Sequence, residues 1–182
     1  MRLQRVKRLS RPKLRHKRRE KRPEPVRGDF IANLEDPAVA EVFARIGRNP
    51  RDYKLAQRVV ALQKQFPQGT IPELITYDYL QQKNIPFTYQ AWISGGRSRA
   101  GGVIPDFVLQ YGGTGMAWLV QGQYWHNRPE VAASDVADKL ALVGHYFEHV
   151  FIEKALELWE RQIYFNRPAV FEMALVGIEI GQ

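Results

Sequence analysis

Three consecutive pieces decide the fold: Val103-Ile104-Pro105-Asp106-Phe107-Val108-Leu109-Gln110-Tyr111, then Gly112-Gly113-Thr114-Gly115, then Met116-Ala117-Trp118-Leu119-Val120-Gln121-Gly122. Val, Leu, Phe and Trp dominate the outer pieces, and such side chains pack well on a pleated surface, while the glycine-rich middle permits a tight reversal. The pattern predicts strand, turn and strand over 103–111, 112–115 and 116–122. Upstream, residues 87–93 alternate apolar and polar positions as a half-buried strand does. The intervening Ser-Gly-Gly-Arg-Ser-Arg-Ala-Gly-Gly of 94–102 is too rich in glycine for regular structure.

Helices flank these strands in the sequence. Asp36-Pro37 reads as N-cap and first helical residue, with Val39, Val42, Phe43 and Ile46 on one face and Gly47 as the stop. Asn49-Pro50 opens a second helix in the same way, its stripe running from Tyr53 through Val59 and Leu62 to Phe66. Thr70 and Glu73 have capping-box spacing before a third helix that reaches about Lys83. Beyond the hairpin, Ser134 is placed to cap a helix over 135–143, residues 150–159 read as extended, and helical turns begin at Glu160 and at about Pro168. The last of these reaches Val176, with Asn166 as its cap. Helices, strands, helix, strand, helix is the order of an α/β protein with a small mixed central β-sheet flanked by helices. The divisions are a basic arm over 1–27, N-terminal helices over 28–69 and an α/β domain over 70–182. No internal repeat is visible.

The 182 residues carry 27 Lys and Arg against 19 Asp and Glu. Residues 1–27 hold 13 of those basic residues with only Glu20 and Glu24, so the rest of the chain is mildly acidic. A run such as Arg15-His16-Lys17-Arg18-Arg19 repels itself and buries too little apolar surface to order alone. Arg15, Lys17, Arg18, Arg19, Lys21 and Arg22 are therefore read as phosphate contacts, each releasing condensed counterions from a nucleic acid. Arg97 and Arg99 in the glycine-rich loop are candidates for the same role or for a solvated loop. A solubilising terminus is the alternative for the arm, and Leu3, Val6 and Leu9, three apart, also suit docking as a helix on another protein. The chain has no cysteine, which removes disulfides, thiol catalysis and cysteine-ligated metals. No apolar run is long enough to span a bilayer and no signal core opens the sequence, so the expectation is a soluble intracellular protein with no membrane partner.

Pro105-Asp106, and Gln121, Gln123, Trp125 and His126 beyond the turn, carry a resemblance. This region resembles the PD-(D/E)xK restriction-endonuclease-like superfamily, and within it the very-short-patch-repair endonuclease-like branch. The superfamily motif sets Pro-Asp at a strand end and an acid, any residue and a lysine on the neighbouring strand. Pro105-Asp106 matches the first half, whereas Gln121 and Gln123 stand where the acid and the lysine belong. Gly122 and Trp125-His126 match the repair branch, with Gln121 in the place of its first histidine. Thr70-Ile71-Pro72-Glu73 fits the acid that the family's preceding helix supplies. The resemblance covers roughly residues 70–180.

It implies a restriction-endonuclease-like fold and a site of Asp106, Glu73, His126, Gln121 and Gln123, with Asp106 and Glu73 as ligands of any Mg²⁺ or Mn²⁺. Phosphodiester hydrolysis uses such a metal to polarise phosphate and to supply hydroxide near neutral pH. Hard Mg²⁺ prefers charged oxygens, and two neutral amides remove both charge and the ammonium that would assist the attacking water. The expectation is a catalytically inactive nuclease fold needing no cofactor. It would bind nucleic acid, DNA in preference, through its arm, together with protein partners in a nucleic-acid-rich assembly such as a phage head or packaging apparatus, which makes a virion-associated location a further possibility. The alternative is a Mg²⁺-dependent nicking or repair endonuclease using Asp106, Glu73 and His126. Each residue also has a plain structural reading: Glu73 in a capping box, Asp106 as a turn residue, His126 capping a strand. His16, His145 and His149 lack ligand spacing, and Trp92, Trp118, Trp125 and Trp159 suit core and rim packing.

Overall fold

A computed structural model of the chain describes residues 36–47, 50–90, 104–122, 137 and 139–181. Helix α1, Pro37–Ile46, starts as its sequence predicts: the Asp36 carboxylate accepts hydrogen bonds from the Ala38 and Val39 amides at 2.9 and 3.4 Å. Val39, Val42, Phe43 and Ile46 form its buried face. Helix α2 spans Pro50–Gln65 and α3 spans Ile71–Gln82. Most of α3 is buried, including Glu73, Thr76 and Asp78, so it is a central element and not a surface amphipathic helix.

The strands are β1, Phe87–Tyr89; β2, Phe107–Tyr111; β3, Thr114–Gln121; β4, Tyr146–Phe147; β5, Val150–Phe151; and β6, Lys154–Trp159. The main sheet has the order β1-β2-β3-β6. The β1–β2 and β2–β3 pairs are antiparallel, with Phe87 opposite Leu109 and Phe107 opposite Trp118, while β3 and β6 run parallel with Gln121 beside Trp159. The sheet is thus mixed, with helices packed on it, as expected. The turn between β2 and β3 is shorter than the predicted 112–115. Gly112 and Gly113 take φ of +58° and +87°, and two such residues close a two-residue hairpin, leaving Thr114 and Gly115 in the strand.

Alternation then sorts the side chains. Phe107, Leu109, Met116, Trp118, Leu156 and Leu158 join one large cluster with the buried faces of α1, α2 and α3. Val108 and Ala117 point the other way and pack with Leu142 and Ile152, beneath the small antiparallel β4–β5 sheet. Trp118 is 0% exposed, a core residue as the sequence reading has it. Residues 137 and 139–142 are helical within the predicted 135–143, ahead of a turn at Val143-Gly144. The extended stretch at 150–159 is two strands interrupted at Ile152-Glu153.

Helix α4, Glu160–Phe165, follows β6 directly, and α5, Arg167–Leu175, buries Val170, Phe171, Ala174 and Leu175. Asn166 precedes α5 as expected but makes no side-chain cap, because its backbone (φ −141°, ψ 32°) is not in the extended region of an N-cap. The C-terminal segment runs beside β6, where Glu179 accepts the Glu157 amide at 2.8 Å and covers part of an open sheet edge. Among the described residues no helix is long and apolar enough to cross a membrane.

Candidate functional site

Asp106 lies immediately before β2, beyond the last ladder pair, Phe107 with Trp118. Its carboxylate accepts the Val120 amide of β3 at 2.6 Å, while its backbone carbonyl accepts the Gln90 amide after β1 at 2.7 Å. One residue therefore ties the central strand to both neighbours where regular pairing stops. Gln90 adopts φ of +52° in making that contact, a conformation unusual for a non-glycine residue.

Glu73 is in the first turn of α3 and 8% exposed. The Thr70 hydroxyl donates to its Oε1 and the Tyr89 hydroxyl to its Oε2, both at 2.7 Å. The predicted capping box is thus altered: Thr70 makes no side-chain bond to the helix amides, and its hydroxyl turns to the Glu73 carboxylate instead. A buried charge of this kind is tolerable only with such partners. Gln90 extends the network by donating to the Tyr89 oxygen at 3.2 Å, and Gln68 donates to Gln90 at 3.2 Å. Burial first, then the hydrogen bond to Glu73 and the charges of Glu73 and Asp106, push the Tyr89 pKa above the ordinary tyrosine value. Both candidate carboxylates therefore disfavour ionisation of the same phenol, Glu73 more than Asp106.

Gln121 ends β3 and, with Glu73, lines an open cleft of about 690 Å³ whose wall includes Arg45, Gln63, Glu160 and Tyr164. Arg45 is paired with Glu41, one helical turn earlier, at 2.8 Å. The Glu160 Oε2 lies 3.8 Å from the point a Cβ would occupy on Gly122, so a carboxylate approaches the end of β3 from the neighbouring strand's following helix. Tyr164 is 8% exposed, and its buried hydroxyl has the Glu160 carboxylate and the Arg45 guanidinium for neighbours. Burial and then Glu160 raise its pKa, against a smaller opposing influence from Arg45.

Gln123 and His126 lie outside the described residues, as do the arm residues Arg15, Lys17, Arg18, Arg19, Lys21 and Arg22, and the loop residues Arg97 and Arg99. Among the described residues no group of three His, Asp or Glu side chains is placed to hold a metal ion. The donor chemistry also fits Mg²⁺ poorly: both Glu73 oxygens are engaged by hydroxyls, one Asp106 oxygen is engaged by a backbone amide, and Gln121 offers only neutral groups. His145 and His149 are exposed.

Sequence reasoning missed Tyr89, Tyr164, Arg45 and Glu160. Tyr89 shares a strand face with Phe87, a signal that it faces the helices. The approach of Glu160 to β3 follows only from the parallel β3–β6 register. No protein-family model, curated protein or solved structure matches the chain.

Proposed function

We propose that the chain is a nucleic-acid-associated structural protein on a restriction-endonuclease-like sheet, with a catalytically silent corner where a nuclease would hold its metal. The observation that carries this reading is the engagement of both carboxylates. Glu73 receives two hydroxyl donors and Asp106 fastens β2 to β3, so the two acids support the sheet end. Gln121 adds an amide where hydrolysis calls for charge. The mixed sheet, with Pro105-Asp106 entering one strand, Gln121 ending its neighbour and Glu73 on the preceding helix, supports the resemblance. Affinity for nucleic acid rests on the basic arm, because the remainder of the chain is mildly acidic. An assembly rich in nucleic acid, such as a phage head or packaging apparatus, is the setting this charge division suits.

Supercoiled plasmid incubated with the full chain and Mg²⁺ or Mn²⁺ tests the reading. Retarded but intact plasmid is expected. Nicking that Asp106→Ala abolishes would replace the reading with a metal-dependent endonuclease.

A further inference from the structure

The body beyond the arm is mildly acidic, but its cations are unevenly placed. Helix α2 carries Arg51, Lys54, Arg58 and Lys64, all exposed, against one acid, Asp52. Asp52 is 5% exposed and turned to Arg167, which leaves the outer face of α2 with basic side chains alone. Arg51, Lys54 and Arg58 are three and four residues apart, so they share one side of the helix within about two turns. Among the described residues Lys54, Lys64 and Lys83 enter no ion pair.

A second feature adjoins this face. Leu55, Ile75, Tyr79 and Phe171 line an open pocket of about 320 Å³ between α2, α3 and α5, with Arg58 and Lys83 in its polar lining. Asp78 fixes the Arg58 guanidinium there at 2.7 and 3.0 Å, while the Arg58 side chain stays 46% exposed. The Lys83 amine lies 5.6 Å from the centre of the Tyr79 ring, which stacks on Phe171 at 4.4 Å. The acids on this pocket are Asp78, already bonded to Arg58 and Gln82, and Glu172. An apolar, aromatic hollow bordered by lysine and arginine suits a flat apolar body with negative charge beside it. A nucleotide is such a group, its base entering the hollow while its phosphates meet the cations. A base paired and stacked in a duplex cannot enter, whereas an unpaired one can be splayed out.

We infer that the folded body binds a single strand of DNA, with one base in the pocket between α2, α3 and α5 and the flanking phosphates on Lys54, Arg58 and Lys83. Lys54 stands one turn before Arg58 on α2, and Lys83 follows the last turn of α3. The inference rests on the reading of the chain as nucleic-acid-associated and deepens it. The arm supplies charge that any polyanion satisfies, and the body selects strands with unpaired bases.

Fluorescence anisotropy of the full chain with an oligodeoxythymidylate, across a salt series, is the test. Lys54→Gln with Lys83→Gln is expected to lower the slope of log affinity against log salt by about 1.4, at about 0.7 per phosphate contact on a single strand. Lys154→Gln with Arg161→Gln removes the same charge from exposed positions on β6 and α4 outside the pocket, and is expected to leave the slope unchanged. Lys54→Arg with Lys83→Arg is expected to keep the wild-type slope, which separates lost charge from a folding defect. A strand of the same length built of abasic residues is expected to bind the wild type about tenfold more weakly, the effect of losing one stacked base. Equal slopes for the two glutamine variants, or undiminished affinity for the abasic strand, would overturn the inference and leave the arm as the contact. A wild-type chain that binds neither strand would remove the proposed function and the inference together.

Discussion

The Asp106 carboxylate accepts the Val120 amide at 2.6 Å, so a side chain takes over where the β2–β3 ladder ends. This contact predicts that Asp106→Ala lowers stability by about 1–3 kcal/mol, the usual cost of leaving a part-buried amide without its charged acceptor. Asp106→Asn retains a carbonyl oxygen and is expected to lose less. Urea unfolding of the two variants checks the order.

Tyr89→Phe removes a donor from buried Glu73 while keeping the ring, which packs against Phe66, Tyr77 and Phe107. A loss of about 1.5–3 kcal/mol is expected for a hydrogen bond to a charged acceptor. Its pH dependence has a definite sign. The folded pKa is raised, so the unfolded chain deprotonates first, near 10, and the tyrosine's contribution is full below that value and falls as pH rises further. Tyr164 and Tyr79 are raised in the same direction. Melting temperatures of the wild type should therefore drop above about pH 10, and Tyr89→Phe should drop less steeply.

Gly115 in β3 has no room for a side chain, since an added Cβ would strike the Phe151 carbonyl of β5. Gly115→Ala is expected to cost about 1–3 kcal/mol by forcing the small sheet away from β3. Gly144→Ala has open space but a φ of +85°, so its penalty is one of backbone conformation alone. Thermal melts combined with near-ultraviolet dichroism separate the two, because only Gly115→Ala should disturb the packing around Phe147 and Val150.

If the arm supplies the phosphate contacts, deleting residues 1–27 flattens the salt dependence of DNA binding. Each lost contact contributes about 0.9 to the slope of log affinity against log salt. Fluorescence anisotropy across a salt series measures it, and an unchanged slope would remove the arm from the account.

Local chemistry was the legible part of this fold. Asp36-Pro37 announced α1, and the glycine-rich 112–115 between pieces rich in Val, Leu, Phe and Trp announced the hairpin, though not which of its faces is buried. The β4–β5 pair escaped because each strand is two residues long and the turn, Glu148-His149, has no glycine although Glu148 adopts φ of +51°. At the site, Asp106, Glu73 and Gln121 were singled out through the resemblance to a nuclease motif, but their bonding was not legible. The Tyr89–Glu73 contact joins residues sixteen apart, and the turning of the Thr70 hydroxyl from helix amides to carboxylate follows from that tertiary network. Glu160 reaches Gly122 only through a parallel pairing that no local pattern encodes.

The central claim is that Glu73 and Asp106 hold the protein's own structure together and do not serve a cation. Thermal melting with and without a large excess of Mn²⁺ tests it most directly, because an ion bound only by the folded state must raise the melting temperature. The account predicts superimposable curves for the wild type and a lower, equally Mn²⁺-insensitive curve for Asp106→Ala. A Mn²⁺-dependent rise in the wild type that Asp106→Ala abolishes would contradict it.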